Sequence, residues 1–409
     1  MDINIRYFNT DNTILSELFR LEQFQKILLE VKTIYACKFN TTLDSFKNKK
    51  INTFISLWIM NQFDNIDITE IIPDPIFPYN GYKNKQLAIN LINTNLVKTE
   101  EEAYELIQDW DLSQKMTQAC VATSKFIQSD EFQVLQHDYK IQTYEEYISV
   151  SSQRENTQRE SHFKKFKIII KDTIKDTIKF KYSKPTKFFI PFILYDKLVS
   201  KYREFIPSDE EINILITKLF LRYYTLDSEN QQLAVMPEFY NLLASKYNID
   251  IELFASGLNS FSRRFASLYY DIEKVLGSVG YFHTYTITPD MEKGQLLVAN
   301  PPFDEDIMIS MVTKFITWLK LSLPISIILT IPQWGEYSAF ESLEQLKRSG
   351  FISQHWIIPK SQARFYNYLR DKIVYPCNVY LILLQNEPGI MKYPKLLEDI
   401  EEIKKKIYV

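Results

Sequence analysis

The chain has 409 residues, a formal net charge of −3 and a hydrophobic fraction of 45%. This length is too great for one small domain and suggests two. Because the net charge is close to zero, any nucleic-acid-binding surface must be local. Three cysteines, Cys37, Cys120 and Cys377, share no metal-ligand spacing, so disulfides and a metal site are both disfavoured.

Glycine usage and hydropathy exclude further classes of protein. Only eight glycines occur, and none form a GxGxxG or GxxxxGK[ST] motif, which disfavours glycine-loop nucleotide binding. No apolar run reaches the roughly 18 residues of a membrane span, and the N-terminus lacks a signal-peptide layout. We therefore expect a soluble, intracellular protein with no membrane partner.

The first part of the chain carries helical periodicity. One amphipathic stretch begins at Leu15, another covers Ile55 to Met60, and a capping-type start at Thr99 opens a third. These patterns predict an α-helical accessory domain over residues 1–160. Its function does not follow from its sequence.

A basic connecting segment is predicted over residues 161–210. It follows a polar stretch from Ser151 to Ser161 that we interpret as a linker. Nine lysines from Lys164 to Lys187 are interleaved with aromatic residues. Lysines suit phosphate contact and aromatic rings suit base stacking. The same pattern also fits an amphipathic element whose lysines only face water, so both interpretations stay open.

From residue 211 onward, strand and helix patterns alternate. The expected strands are 250–254, 281–286, 296–299, 325–330, 355–358 and 379–384. The expected helices are 212–224, 237–247, 260–268, 304–321 and 340–348. This alternation predicts an α/β fold with a mostly parallel sheet covered on both faces. It is the layout of a Rossmann-like class I methyltransferase domain, which we place over 211–409.

The motif Asn300-Pro301-Pro302-Phe303 follows a buried strand and so lies where α/β sheets build their sites. An exocyclic adenine amine is a poor nucleophile, and an enzyme that methylates it must hold both amine hydrogens. The carbonyl of the Asn300 side chain and that of the Pro301 backbone can accept them. Pro302 stiffens the turn and Phe303 offers a stacking surface. The alternative is an ordinary Asn-Pro turn with a core Phe.

A second constellation, Asp250 to Asn259, precedes the motif. An acidic residue in the first strand could meet the ammonium or ribose hydroxyls of S-adenosylmethionine, and the small residues Ala255, Ser256 and Gly257 would let the backbone approach. Taken alone, this segment also reads as a simple strand-to-helix turn. Together with the later motif, it predicts a methyl-donor site and a target-amine site at adjoining strand ends.

Several segments resemble the cap-specific adenosine N6-methyltransferases, the phosphorylated C-terminal-domain-interacting factor family. They are residues 221–224, 231–235, 252–259, 299–303 and 385–389. The resemblance implies methyl transfer from S-adenosylmethionine to N6 of the 2′-O-methyladenosine beside the cap of mRNA. It also implies that Asn300, Pro301, Pro302 and Phe303 are catalytic. The donor-binding residues that it implies are Gln232, Glu252, Phe254, Ala255, Ser256 and Asn259.

One expected departure from the family concerns a WW domain, which needs two tryptophans near a proline. Because Trp58 and Trp110 are isolated, we expect no such domain and consider binding of the polymerase tail unlikely. The partner that remains is capped mRNA. Two alternatives stay open: a phage-type DNA N6-adenine methyltransferase, and a catalytically dead methyltransferase fold that binds RNA. The intact Asn-Pro-Pro-Phe motif argues against the dead fold.

Two later loops are candidates for cap recognition. A 7-methylguanine is cationic and suits an aromatic face, and its triphosphate suits Arg or Lys. Trp334 follows one strand, and Lys360, Arg364 and Tyr366 follow another. We expect these four residues to bind substrate, although each loop could equally hold rings that only pack on a helix.

Overall fold

The computed structural model describes residues 13–63, 74–78, 84–135, 139–151, 158–170, 186–226, 232–287, 295–333 and 341–408. These residues form two compact units. The helical unit contains the described residues of 13–150 and 159–226, and the sheet unit contains those of 232–408. The helix at Asp209–Thr225 belongs to the helical unit, whereas the sequence prediction of a domain start at 211 grouped it with the later residues.

In the helical unit, side-chain caps set several helix starts. Thr13, Thr99 and Ser208 each accept a backbone N–H from three residues later, which satisfies one of the free donors of the first turn. The described helices are α1 (Ile14–Lys38), α2 (Ser45–Phe63), α3 (Lys85–Asn93), α4 (Glu100–Trp110), α5 (Leu112–Ile127), α6 (Asp130–Leu135), α7 (Phe192–Arg203) and α8 (Asp209–Thr225). Throughout the described ranges, every helix is too short or too polar to cross a membrane.

The helical unit also contains a three-stranded sheet that the sequence did not predict. Its strands, in spatial order, are β1 (Tyr139–Ser151), β2 (Gln158–Ile170) and β3 (Thr186–Pro191). The interpretation of 151–161 as a linker is therefore wrong for its described residues. Ser151 ends β1, and residues 158–161 belong to β2. Residues 171–185, which hold five of the nine lysines, lie outside the described residues.

A buried ionic network ties α1 to α8 within the helical unit. The Glu17 carboxylate lies 2.8 Å from Arg20 and 2.6 Å from Arg222, and Arg20 also meets Asp74 at 3.0 Å. Burial alone would raise the pKa of Glu17, but the two guanidinium groups lower it below its ordinary value. Glu17 is therefore a charged anchor between the two helices.

The sheet unit is built from two sheets and flanking helices. Its strands are β4 (Leu233–Val235), β5 (Ile251–Leu253), β6 (Gln295–Ala299), β7 (Ile325–Pro332), β8 (Ile352–Ile358), β9 (Phe365–Asn367), β10 (Lys372–Val374) and β11 (Val379–Gln385). Its described helices are α9 (Pro237–Ala244), α10 (Tyr270–Glu273), α11 (Glu305–Leu319), α12 (Glu341–Ser349), α13 (Glu387–Lys392) and α14 (Leu396–Ile407).

The larger sheet has the order β5-β6-β7-β11-β8, and the smaller has the order β10-β9-β4. Strands β5, β6 and β7 are parallel, whereas β11 runs antiparallel to both β7 and β8. Strand β8 therefore points the same way as the parallel trio. As a consequence, the carboxyl ends of β5, β6, β7 and β8 share one edge of the sheet.

Alternating side chains place a hydrophobic core on each face of this sheet. On β6, Leu297 and Ala299 pack in one core with α11 and α12, while Leu296 and Val298 pack in the other with α9 and α14. This alternation is the period of two that a strand imposes. The predicted α/β architecture, in which helices pack on both faces of a sheet, is confirmed.

Two secondary-structure predictions within the sheet unit are wrong. Residues 260–268 form no helix, because this chain runs beside β5 and pairs with it: Glu252 N–H donates to the Arg264 carbonyl at 3.1 Å, and Ala266 N–H donates to the Glu252 carbonyl at 2.9 Å. Residues 281–286 form a turn rather than a strand. At 260–268 the edge of β5 offers backbone partners. At 281–286 the Tyr281 carbonyl accepts from Thr284 N–H at 3.0 Å and from Tyr285 N–H at 3.1 Å, which closes a turn.

Candidate active site

The site residues converge at the carboxyl edge of the larger sheet. Leu253, the last residue of β5, pairs with Ala299, the last residue of β6, so the loops that follow these strands begin side by side. The first loop opens at Phe254 and the second at Asn300. This is the edge at which open α/β sheets bind ligands.

The orientation of the Asn300 amide is fixed by its neighbour. Its Nδ2 donates to the backbone carbonyl of Leu233 at 2.9 Å. Because that carbonyl can only accept, the amide NH₂ must face it and Oδ1 must point the other way. Oδ1 is buried and has no hydrogen-bond partner among the described residues. The side chain thus presents an oriented acceptor that is not used inside the protein.

The rest of the motif forms a rigid turn into α11. No described residue donates a hydrogen bond to the Pro301 carbonyl, while the Pro302 carbonyl accepts from Asp304 N–H at 2.8 Å. Asp304 then caps α11 by accepting from Ile307 N–H. The ring of Phe303 is partly exposed and meets Phe365 of β9 edge to face, with 6.2 Å between ring centroids.

Three of the expected donor-binding residues form one buried polar network. The Ser256 hydroxyl donates to Gln232 Oε1 at 2.6 Å and lies 3.1 Å from Asn259 Oδ1, which also accepts from Ser256 N–H at 2.8 Å. Gln232 adjoins Leu233, the partner of Asn300. The short segment at 232–233 therefore connects the loop after β5 to the motif after β6.

Glu252 is held from one side by the loop that follows it. Its Oε2 accepts from Phe261 N–H at 2.7 Å and from Ser262 N–H at 3.1 Å, and the residue is only 5% exposed. Burial raises the pKa of Tyr368 to about 12, with further contributions from the charges of Glu252 and Glu238. Tyr368 is therefore a neutral hydroxyl near this carboxylate at physiological pH.

Phe254 and Ala255 shape the start of the loop. Phe254 has a φ of +63°, a backbone conformation that is uncommon outside glycine and is often found at functional sites. Its ring lies 4.3 Å from that of Phe282. Ala255 N–H donates to the Ala266 carbonyl at 2.9 Å, which closes the turn.

Lys314 of α11 supports this aromatic pair from below. Its Nζ donates to the carbonyls of Phe282 and His283 at 3.0 and 2.7 Å. It also lies 5.2 Å from the centre of the Phe282 ring. Burial lowers the pKa of Lys314 from 10.5 to about 8. The 282–284 turn is thereby fixed under Phe254.

The sequence analysis gave no role to four residues that make contacts at this candidate site. They are Leu233, Ser262, Glu273 and Lys314. The Ser262 hydroxyl is buried and has no partner in the described ranges, and Glu273 Oε1 accepts from Gly257 N–H at 2.6 Å. No motif marks these residues, because each acts through its backbone or through a loop contact. Ser262 falls in the wrongly predicted helix at 260–268 and Lys314 in the predicted helix at 304–321, and neither prediction gave the residue a role in the site.

The three described residues among the expected cap-binding set lie on different parts of the sheet unit. Lys360 is exposed just after β8, three strands away from β6, which is a separation of about 14 Å at about 4.8 Å per strand. Tyr366 is closer, because β9 pairs with β4 beside Asn300. Arg364 donates to the Ile407 carbonyl at 3.5 Å and so also serves the end of α14. Trp334 lies outside the described residues.

An α/β sheet with a polar site at its parallel strand ends defines a class of ligand-binding and catalytic domains. Sequence comparison narrows that class. A family model described as the phosphorylated CTD interacting factor 1 WW domain matches residues 193–368. Over 175 residues, the chain is 28% identical to a human protein named mRNA (2'-O-methyladenosine-N(6)-)-methyltransferase, and over 173 residues it is 28% identical to the mouse protein of the same name.

Both similarities are partial in extent. Each covers 40% of this chain and 24% of the relative. The chain thus spans about a quarter of the length of the curated relatives it matches. The residues that the family model matches, 193–368, include the Asn300 motif, the loop after β5 and the 232–233 segment.

The family match corrects one expectation from the sequence. We expected no WW domain, and hence no binding to the polymerase tail, from the isolated positions of Trp58 and Trp110. The model that matches carries the WW domain description, and its span contains Trp318, Trp334 and Trp356. The expectation of a missing domain is therefore wrong, and the argument against tail binding falls with it. Trp58 and Trp110 were uninformative because both are buried in the helical unit.

Proposed function

We propose that this protein is an S-adenosylmethionine-dependent methyltransferase that modifies N6 of the adenosine beside the cap of mRNA. The sheet unit would be its Rossmann-like class I methyltransferase domain. The names of the human and mouse relatives support this substrate over the alternative of DNA. The observation that carries the proposal is the buried, unpartnered Oδ1 of Asn300, whose direction is set by the Leu233 carbonyl.

Asn300 and Pro301 would hold the target amine. The amine has two hydrogens, and the two free acceptors are the Asn300 Oδ1 and the Pro301 carbonyl. Accepting both hydrogens favours a pyramidal nitrogen, whose lone pair is then available as a nucleophile. These contacts strengthen as the nitrogen becomes cationic, so they stabilise the transition state more than the bound substrate. The proton can leave to water after transfer, and no strong base is required.

Phe303 would carry the adenine ring. Its partly exposed face adjoins the acceptors, and the edge contact with Phe365 fixes the ring plane. Base stacking on an aromatic side chain contributes about 1–3 kcal/mol per base. Pro302 contributes indirectly, because its carbonyl anchors the turn that orients Phe303.

The loop after β5 fits the methyl donor. When bound, S-adenosylmethionine supplies the electrophilic methyl group. Its ammonium and ribose hydroxyls need acceptors, which the Glu252 carboxylate and the unpartnered Ser262 hydroxyl can provide. Gln232, Ser256 and Asn259 hold the loop in shape, and Phe254 with Ala255 brings its backbone to the strand end.

Tyr366, Lys360 and Arg364 would contact the cap and its phosphates. Tyr366 lies closest to the motif through β9, whereas Lys360 is far enough along the sheet edge to reach beyond the target nucleotide. Trp334, which the sequence assigns to the same surface, would add an aromatic face for the cationic base.

The test is methyl transfer to a capped RNA that begins with adenosine. Asn300→Ala removes the oriented acceptor, so we expect a rate lower by about 100- to 1000-fold. Melting temperature and donor affinity should stay near wild type. Asn241→Ala, at an exposed position of α9, is the matched control and should keep full activity. A folded Asn300→Ala enzyme that turns over within tenfold of wild type would refute the assignment.

A further inference from the structure

One face of the β2–β3 ladder is turned away from the core of the helical unit. Phe166 is paired with Phe188 across the two strands, and the Phe188 ring stacks on Phe220 of α8 at 4.5 Å. These residues form the packed face. The next pair on either side, Lys165 with Phe189 and Lys167 with Lys187, must then project from the opposite face. We call Lys165, Lys167, Lys187 and Phe189 the lysine face.

The lysine face contains a like-charge pair that forms no ion pair with any residue that the structure describes. Lys167 and Lys187 are directly opposite each other in an antiparallel ladder, an arrangement that is destabilising by itself. Among the described residues, no acidic side chain forms an ion pair with either one. Lys165 differs, because its Nζ lies 2.8 Å from Glu146. Two adjacent positive charges without a counter-ion in the described part of the chain are suited to an external anion.

An aromatic ring lies next to this pair. Phe189 is only partly buried, and the Lys165 Nζ lies 5.2 Å from its centre. Lysines beside an accessible ring are the elements of single-stranded nucleic-acid binding, in which phosphates meet the cations and a base stacks on the ring. All the cations of the face are lysines. Recognition of phosphorylated peptides relies instead on arginine, whose planar group binds phosphate in bidentate fashion.

We propose that the lysine face binds the ribose-phosphate backbone of the RNA substrate, with Lys167 and Lys187 at phosphates and Phe189 beneath a base. This inference rests on the proposed function and adds a second contact region to it. The contact does not depend on the RNA sequence, because every nucleotide has a charged phosphate and a base that can stack. It would therefore serve RNA that extends past the nucleotides held at the strand ends of the sheet unit.

The experiment measures binding of the full chain to a fluorescently labelled 25-nucleotide capped RNA by anisotropy, over a series of salt concentrations. The test variant is Lys167→Gln with Lys187→Gln. A charge-preserving variant, Lys167→Arg with Lys187→Arg, separates charge from fold. A third variant, Lys98→Gln with Lys125→Gln, removes the same net charge from exposed positions of the same unit.

We expect the Gln pair at the lysine face to weaken binding by about tenfold and to flatten the plot of log affinity against log salt by about 1.4, or about 0.7 for each lost phosphate contact. The other two variants should bind as wild type does. Unchanged binding by the Gln pair, or an equal loss in the Lys98 and Lys125 variant, overturns the proposal. So does tighter binding of a phosphoserine peptide than of RNA at this face.

The binding readout does not depend on methyl transfer. A protein that binds the long RNA through the lysine face but methylates nothing would contradict the proposed function and leave this inference supported. Phe189→Ala adds a second reading, since it should weaken RNA binding without changing the salt slope. If Phe189→Ala changes neither binding nor melting temperature, the stacking part of the proposal is wrong.

Discussion

At the scale of single residues, two buried polar atoms of the candidate site have hydrogen-bonding capacity that no described residue uses. Asn300 Oδ1 and the Ser262 hydroxyl are both buried, and neither has a partner in the part of the chain that the structure describes. A buried polar atom without a partner costs free energy, about 1–3 kcal/mol, so such atoms call for an explanation. Both lie in loops at the same sheet edge, and a bound ligand would satisfy them.

Substitution of Phe303 should distinguish binding of capped RNA from binding of S-adenosylmethionine. Phe303→Ala removes the proposed stacking surface but alters none of the hydrogen bonds that hold the loop after β5. We expect the KM for capped RNA to rise by roughly tenfold, in keeping with a stacking contribution of about 1–3 kcal/mol. Donor affinity, measured by calorimetry, should stay within twofold of wild type. Phe303→Tyr, which keeps a ring, is the control. Equal loss of donor and RNA affinity would mean that the ring only packs.

Glu252 provides the converse prediction. Glu252→Gln keeps the size of the side chain but weakens the charge-assisted bonds from Phe261 and Ser262 and removes a charge from the donor site. We expect donor affinity to fall by at least tenfold while the KM for RNA changes little. Calorimetry with S-adenosylmethionine and steady-state kinetics with RNA give the two numbers. If Glu252→Gln binds S-adenosylmethionine as tightly as wild type does, another group must hold the ammonium or ribose of the donor.

At the scale of elements, α11 links the two loops. It begins directly after the motif, and its Lys314 holds the 282–284 turn on which Phe254 packs. The sequence predicted β6, α11 and β7 well because each is a long, strongly apolar or periodic run. It failed at 260–268, where Arg263, Arg264 and Ala266 favour a helix by intrinsic propensity. There the exposed edge of β5 decided the outcome by offering backbone partners.

Lys314 of α11 should make the unfolding free energy depend on pH. Its native pKa is about 8, against 10.5 in the unfolded chain. Between these values the unfolded chain holds a proton that the native protein lacks, so the contribution of Lys314 makes stability rise with pH. We expect the difference in unfolding free energy between wild type and Lys314→Met to increase from about pH 8 to about pH 10. A difference that is flat over this window would show that Lys314 is not the titrating group.

At the scale of the whole molecule, each compact unit has its own means of stabilisation. The sheet unit relies on two hydrophobic cores, whereas the helical unit adds the buried network of Glu17, Arg20 and Arg222. The sequence could not predict this network, because Glu17 and Arg222 are distant in the chain and a charged residue on a helix usually faces water. Nor could it predict β1 to β3, whose charged alternation resembles a solvated linker.

The network predicts a large cost for one substitution. Glu17→Ala would leave Arg20 and Arg222 buried without their shared counter-ion, and breaking such a pair typically costs about 3–5 kcal/mol. Glu22→Ala is the matched control, because its ion pair with Lys26 is at the surface and contributes at most about 1 kcal/mol. Chemical denaturation measures both. Equal, small effects would show that the network does not anchor the helices.

The proposed activity is tested most directly by locating the methyl group. Purified protein, isotopically labelled S-adenosylmethionine and four RNAs are needed: capped and uncapped, each beginning with adenosine or guanosine. We expect labelled N6-methyladenosine only at the cap-adjacent position of the capped, adenosine-initiated RNA, as identified by mass spectrometry of the released nucleosides and cap. A DNA that contains adenine serves as a further control. Equal labelling of internal adenosines, of uncapped RNA or of this DNA would contradict the proposed activity.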